Sequence, residues 1–334
     1  MTAAFPHRHA AHCESGTVAT LLRARGLDLS EPMIFGIAGG LYFIHVPFAK
    51  LGGFPLTAYR IMPRAIIKNL TKRLGIPMRY ERFRDPERGM QRLDALLAAG
   101  VPVGMQANIF WLSYFPTDMR FQYNGHNMVA YGKHGADYLI SDPVGETVTT
   151  CPADDLKRAR FARGGPFPPK GLLYYPESIP AGIDLAPAAI AATRKVCKEM
   201  LDTPIPLIGV RGIRYLAKRL EQWPRKLGEK LARANVGHVI RMQEEIGTGG
   251  AGFRFLYAAF LQECADLLGR PSLKETSQRL TEVGDRWREF AVLGAHLVKS
   301  KEGGHAIYER LASLLRQCAD GEQIVYSELR DTLA

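Results

Sequence analysis

Three stretches decide how this chain reads: His12-Cys13-Glu14-Ser15-Gly16, Gly125-His126-Asn127-Met128-Val129-Ala130-Tyr131-Gly132, and Leu139-Ile140-Ser141-Asp142-Pro143. A thiol, a distant imidazole and, sixteen residues past the imidazole, a carboxylate are the parts that thiol acyl-transfer chemistry needs. The imidazole takes the proton from sulfur, and the carboxylate holds the imidazole in one tautomer and orientation. The spacing therefore predicts an enzyme that works through a covalent thioester. An inert, half-buried cysteine is the plainer reading of Cys13 taken alone; the two later stretches reverse that choice.

Local patterning supports the thiol. Thr17, Val18, Leu21 and Leu22, closing at Arg25-Gly26, read as an amphipathic helix with a glycine stop. Cys13 then sits at a helix N-terminus, where unpaired N–H groups and the macrodipole favour an anion. Downstream, His126–Tyr131 and Tyr138–Ser141 read as strands with a hairpin loop over Gly132–Asp137. Near the start of one strand and the far end of its antiparallel neighbour, His126 and Asp142 are expected side by side. His126 also fits a satisfied core histidine, and Asp142-Pro143 is ordinary turn chemistry that is compatible with a triad.

Composition frames this. The 334 residues are enough for two domains, and 46% hydrophobic with 23% charged residues describes a soluble globular chain. No apolar run is long enough to span a membrane, and the N-terminus shows no secretory leader. Cysteines 13, 151, 197, 264 and 318 form an odd, scattered set that fits a reducing cytoplasm better than a disulfide framework. The formal charge of +11 comes from bases spread among acids, with no nucleic-acid-binding signature. Clusters at Arg214, Lys218 and Arg219, then Arg225, Lys226 and Lys230, read as a solvated helix face. Their functional alternative is docking of an acidic carrier or a phosphate-bearing thiol.

Texture divides the chain. Residues 1–176 are rich in Gly, Pro and aromatics, with helices predicted over Lys68–Leu74 and Gln91–Ala99 and a strand over Val101–Met105. Glu177–Gly182 reads as a linker. From residue 187 to 334 the pattern is helical almost throughout: Ile190–Leu201, Gly209–Leu220, Phe253–Leu268, Leu273–Leu297 and Gly304–Cys318. The expected fold class is α+β, an N-terminal domain with an antiparallel sheet followed by an α-helical domain.

The Cys13 and His126 stretches, with Met33-Ile34-Phe35-Gly36-Ile37-Ala38-Gly39-Gly40-Leu41, resemble the N-terminal domain of the butirosin biosynthesis protein H family. Gly249-Gly250-Ala251-Gly252-Phe253-Arg254, then Tyr257 and Phe260-Leu261, resemble the helical domain usually appended to it. The family is similar to papain-like cysteine peptidases of the bacteriocin-processing sort. Its named member is an acyltransferase that moves an aminoacyl group from an acyl carrier protein thioester to an aminoglycoside amine. The resemblance implies Cys13 as nucleophile, His126 as base and Asp142 as orienting acid, with 187–334 covering the active-site cleft. Papain-like enzymes usually hold a Gln six residues before the nucleophile; His7 stands there, so the resemblance implies an oxyanion hole from the Cys13 N–H plus His7 or another donor. Family members carry an Asp and a Leu-Pro-Tyr phrase before the His strand. This chain has Asn108 and Leu112-Ser113-Tyr114, which makes Asn108 and Tyr114 candidates for substrate binding.

Two further patterns have rival readings. His7, His9, His12 and Cys13 crowd together but match no zinc spacing, so no metal is expected. Gly247-Thr248-Gly249-Gly250-Ala251-Gly252 satisfies G-x-G-x-x-G, but its helical context excludes a dinucleotide fold. It reads as an interhelical loop, or as one where Gly249, Gly250 and Arg254 meet a phosphate or carboxylate of the substrate. No bound cofactor is expected. The expected donor is a phosphopantetheine-linked acyl thioester on a carrier protein or coenzyme A, and the acceptor a small amine or hydroxyl compound. A homodimer stays open. The rival readings are a papain-like peptidase or amidase with the same triad and a catalytically silent binding protein on that scaffold.

Overall fold

In a computed structural model, described over residues 5–300 and 304–333, the chain runs as follows. Helices α1 (Cys13–Arg23) and α2 (Glu31–Ile37) precede strands β1 (Leu41–Leu51) and β2 (Phe54–Arg60). Then come α3 (Ala65–Arg73), β3 (Met78–Glu81), α4 (Pro86–Ala98), β4 (Val103–Ala107), β5 (His126–His134), β6 (Asp137–Ser141), β7 (Thr149–Pro152), α5 (Ala153–Arg160) and β8 (Leu173–Pro176). Six helices follow: α6 (Leu185–Leu201), α7 (Gly209–Leu227), α8 (Glu229–Glu244), α9 (Arg254–Leu267), α10 (Ser272–Lys299) and α11 (His305–Thr332). This is the expected α+β class, an antiparallel sheet in the N-terminal part and helices after it.

The first compact unit comprises the residues up to Ile34 together with Pro63–Ile183. Its sheet is antiparallel in the order β3-β8-β4-β5-β6-β7. Alternation sorts the two faces. Met105, Ala107, Met128, Ala130 and Ile140 share a core with Leu93 and Leu97 of α4 and Leu156 of α5. Gly104, Asn127 and Tyr174 belong to the other face, where α1 packs. Gly104 is needed there, since a Cβ would lie 2.2 Å from the Tyr174 ring. Helix α4 starts as its sequence dictates: Asp85 accepts from the amides of Glu87 and Arg88, with Pro86 in the first turn.

The second unit comprises Phe35–Met62 and Asp184–Ala334. The expected division at 1–176 and 187–334 thus differs over residues 35–62. The β1–β2 hairpin puts Phe43 and Tyr59 against Trp287 of α10, and buried aromatic area of that size decides its allegiance. The sequence did carry this hairpin's signal. Leu51 pairs with Phe54 across Gly52-Gly53, both at positive φ, the chemistry of a two-residue turn. The chain between β5 and β6 also turns more tightly than expected: His134 pairs with Asp137, leaving only Gly135 and Ala136 in the loop. No helix among the described residues is long and apolar enough to cross a membrane.

Candidate active site

Cys13 is the first residue of α1, and 9% of its surface is exposed. Its neighbours hold it from three directions. The His12 side chain accepts from the Ser15 amide and caps the helix. The Glu14 carboxylate, fully buried, accepts from the amides of Arg64, Ile66 and Ile67 at the start of α3. Glu31 accepts from the amides of Ala11 and His12 and from the Ser15 hydroxyl, each at 2.8 Å. A single carboxylate thus ties down the backbone immediately before the thiol. Sequence reasoning passed over Glu31, because its only signal was an acid opening a short helix.

His126 opens β5 and is buried. Its Nε2 donates to Asp142 Oδ2 at 2.6 Å, while Phe115 packs edge-on against the ring. Electrostatically the ring is also coupled to Cys13. Nδ1 is the ring nitrogen not engaged by Asp142. Burial lowers the pKa of the imidazole, but the Asp142 charge and hydrogen bond, with Cys13, outweigh burial and carry it to about 10. Cys13 Sγ lies 3.9 Å from the Gly125 carbonyl oxygen, which also accepts from Asn127 Nδ2 at 2.9 Å. The structure thus sets the Asp142 carboxylate on the His126 imidazole and the Cys13 thiol against the carbonyl of Gly125, the residue before His126.

The remaining cysteines are of a different kind. Burial pushes the thiols of Cys151, Cys197 and Cys264 up to about 12, and holds that of Cys318 well above its ordinary value. They are packing residues held in the protonated, unreactive form.

Several expected site residues serve other ends. His7 is no oxyanion donor, because its Nδ1 pairs with the Ser141 hydroxyl at 2.8 Å and its Nε2 donates to the Gly145 carbonyl at 3.1 Å. Both nitrogens are consumed in clasping the turn that carries Asp142. Asn108, 3% exposed, caps a short 3-10 turn through Phe110 and donates to Gln122 and Asn124. Its polar atoms brace the loop over residues 108–124. Tyr114 donates its hydroxyl to Asp142 Oδ2 at 2.7 Å, so it belongs to the triad's support.

Arg254 is buried completely in the second unit. Its Nε and Nη2 grip both oxygens of Glu322 at 2.9 and 3.1 Å, Nη1 donates to the Gly252 carbonyl, and Trp287 and Tyr59 lie over the guanidinium. A guanidinium committed this way has no fork left for a substrate. The glycine loop is likewise closed on itself: the Gly250 amide donates to Thr248, the Ala251 amide to Glu244, and the Phe253 amide to the Gly250 carbonyl. Gly249 and Gly250 are there for their positive φ.

Residues 12–143 match the family model described as Butirosin biosynthesis protein H, N-terminal, and residues 154–329 match the one described as Domain of unknown function (DUF4872). The chain belongs to the DUF4872 family and carries, ahead of that domain, one of the butirosin biosynthesis protein H N-terminal type. Its Cys13 thiol stands at a helix start and its His126 imidazole at the start of a sheet strand. No curated protein matches the chain. A solved structure described as a C39-like peptidase from Bacillus anthracis is similar over 53% of this chain and 98% of its own, at 15% identity and a TM-score of 0.37.

Proposed function

We propose that this protein is a cysteine-dependent acyltransferase. The observation that carries the reading is the Cys13–His126–Asp142 arrangement within a domain of the butirosin biosynthesis protein H N-terminal type. The donor is an acyl thioester on a carrier protein or coenzyme A, and the acceptor is a small amine or hydroxyl compound.

The proposed reaction runs in two half-reactions. Cys13 Sγ, as thiolate beside the His126 imidazolium, attacks the thioester carbonyl carbon. Negative charge gathers on the carbonyl oxygen, where the Cys13 backbone N–H, in the first turn of α1 and without a helical acceptor, is the proposed donor. The tetrahedral intermediate collapses, the carbon–sulfur bond to the carrier breaks, and the departing thiolate takes the proton of His126. The acceptor nitrogen then attacks the acyl-enzyme while His126 removes its proton. Cleavage of the bond to Cys13 releases the amide and restores the starting pair. Asp142 holds the imidazole throughout through Nε2, so that Nδ1 handles both proton transfers.

Hydrolysis by the same triad is the competing reading, because water and an amine differ only in the second half-reaction. Intact-protein mass spectrometry after mixing with acyl thioesters tests the reading. Acyl mass on the wild type, none on Cys13→Ala, and its discharge to amines faster than to water support transfer. Peptide cleavage without any acyl adduct would establish a peptidase, and neither adduct nor cleavage a binding protein.

A further inference from the structure

We propose that Tyr114 is a positioning residue of the triad: by donating to the very Asp142 oxygen that accepts from His126, it limits how strongly the carboxylate holds the imidazole's proton. The inference rests on the reading of Cys13, His126 and Asp142 as a thiol–imidazole–carboxylate unit, and it gives a role to a residue whose sequence context suggested substrate contact.

Asp142 Oδ2 has two donors, His126 Nε2 at 2.6 Å and the Tyr114 hydroxyl at 2.7 Å, whereas Oδ1 accepts only the Val144 amide at 3.2 Å. Two short hydrogen bonds to one carboxylate oxygen compete for the same electron density. The second donor makes Oδ2 a weaker partner for the imidazolium. Orientation alone does not require it, since the Val144 amide on Oδ1 and His126 on Oδ2 already hold the carboxylate at both ends. Tyr114 is suited to the task because burial and the Asp142 charge keep its hydroxyl protonated far into alkali. Its other hydrogen-bond contact among the described residues is the Met128 sulfur at 3.1 Å.

The other titratable groups around this unit are few. Cys13 and Asp142 face His126, and Asp142 and Cys151 face Tyr114, with Cys151 held neutral by burial. His7 reaches only the neighbouring Ser141 and Gly145. A change in the imidazole's proton affinity on altering Tyr114 is thus traceable to Asp142.

The consequence is a compromise between the two half-reactions. Acylation needs an imidazolium beside the thiolate, and deacylation needs a neutral imidazole to act as base. A carboxylate with His126 as its only strong donor would raise the imidazole's proton affinity further and slow the second step.

The experiment uses the full chain and two reagents independent of the natural donor. Iodoacetate, an anion drawn by the imidazolium, alkylates Cys13 with an alkaline limit set by loss of the His126 proton. p-Nitrophenyl acetate leaves an acetyl group on Cys13, whose release against pH is followed by intact mass. For Tyr114→Phe, both the alkaline limit of alkylation and the acid limb of deacetylation move up, by about one pH unit for the share of one charge-assisted bond. Deacetylation at neutral pH falls about tenfold in step with that shift. Difluorotyrosine incorporated at position 114, a stronger donor that keeps the shape, moves both limbs down. Loss of rate at every pH without movement of either limb, or downward movement in Tyr114→Phe, would reduce Tyr114 to a packing role and overturn the inference. Absence of acyl transfer from thioesters in the wild type would sink the acyltransferase reading while leaving this test intact.

Discussion

His126 and Asp142 meet on one face of the sheet because β5 carries one more residue than its partner strand. His134 pairs with Asp137 across the two-residue turn Gly135-Ala136, and that register, continued regularly, pairs even-numbered positions with odd-numbered ones. Cross-strand partners share a face, so Asp142 would turn away from His126. The register skips Tyr131 between Ala130↔Ile140 and Gly132↔Leu139, so that from Ala130↔Ile140 onward residues of like parity pair. Continued one residue past β6, that register sets Asp142 opposite Met128, diagonal to His126, whose Nε2 lies 2.6 Å from Asp142 Oδ2. Phe5 stacks on the bulged Tyr131 with ring centroids 4.1 Å apart.

Asp142→Asn removes the charge that raises the His126 pKa. A group whose folded-state pKa is raised, here from 6.5 to about 10, contributes stability that is complete below the lower value and lost as pH climbs through the upper one. Denaturant unfolding should therefore show the wild type losing ground to Asp142→Asn between pH 6.5 and about 10. Over the same range the alkaline limit of Cys13 alkylation by iodoacetate should fall towards neutrality in the variant.

Glu31→Ala strands two amides and a hydroxyl that now share one carboxylate. Buried donors left without partners cost about 1–3 kcal/mol each, less whatever water recovers, so a loss of about 2–4 kcal/mol is expected by urea titration. Cys13 alkylation should slow as well, because the segment being loosened leads directly into the thiol. Glu31→Gln, which keeps one acceptor oxygen, should fall between the two.

Gly16→Ala probes packing beneath the triad. A Cβ there would lie 2.5 Å from Pro143 Cβ and 2.6 Å from Ala10 Cβ, distances that force movement of the turn carrying Asp142. Overpacking of this kind costs about 1–3 kcal/mol. The expected signature is a lower melting temperature together with slower acylation. Unchanged acylation would show that the turn yields without disturbing Asp142.

Arg254→Ala leaves Glu322 as an unpaired charge in the core of the second unit, where both partners are 0% exposed. Breaking one side of such a pair costs about 3–5 kcal/mol. Arg254→Met combined with Glu322→Leu should recover most of that loss, since an apolar pair of similar volume avoids the desolvation of two charges. In any variant that folds, KM for the acyl donor should be unchanged. A raised KM would return Arg254 to the binding site.

Much of this protein was determined by local sequence. The thiol at a helix start, strands beginning at His126 and ending at Ser141, the helical second part, and even the overlooked Gly52-Gly53 hairpin all follow from periodicity, caps and turn residues, whose range is a few positions along the chain. Pairing across distance was decided only by the tertiary structure. The role of Arg254 depends on Glu322, that of His7 on Ser141 and Gly145, and that of Glu31 on the backbone before Cys13. Each is a polar group whose chemistry is set by its partner once both are withdrawn from water, where a hydrogen bond must be made or its loss borne in full. Residue type alone leaves that partner unspecified, and so Tyr114 reads as a substrate contact until folding brings its hydroxyl to Asp142.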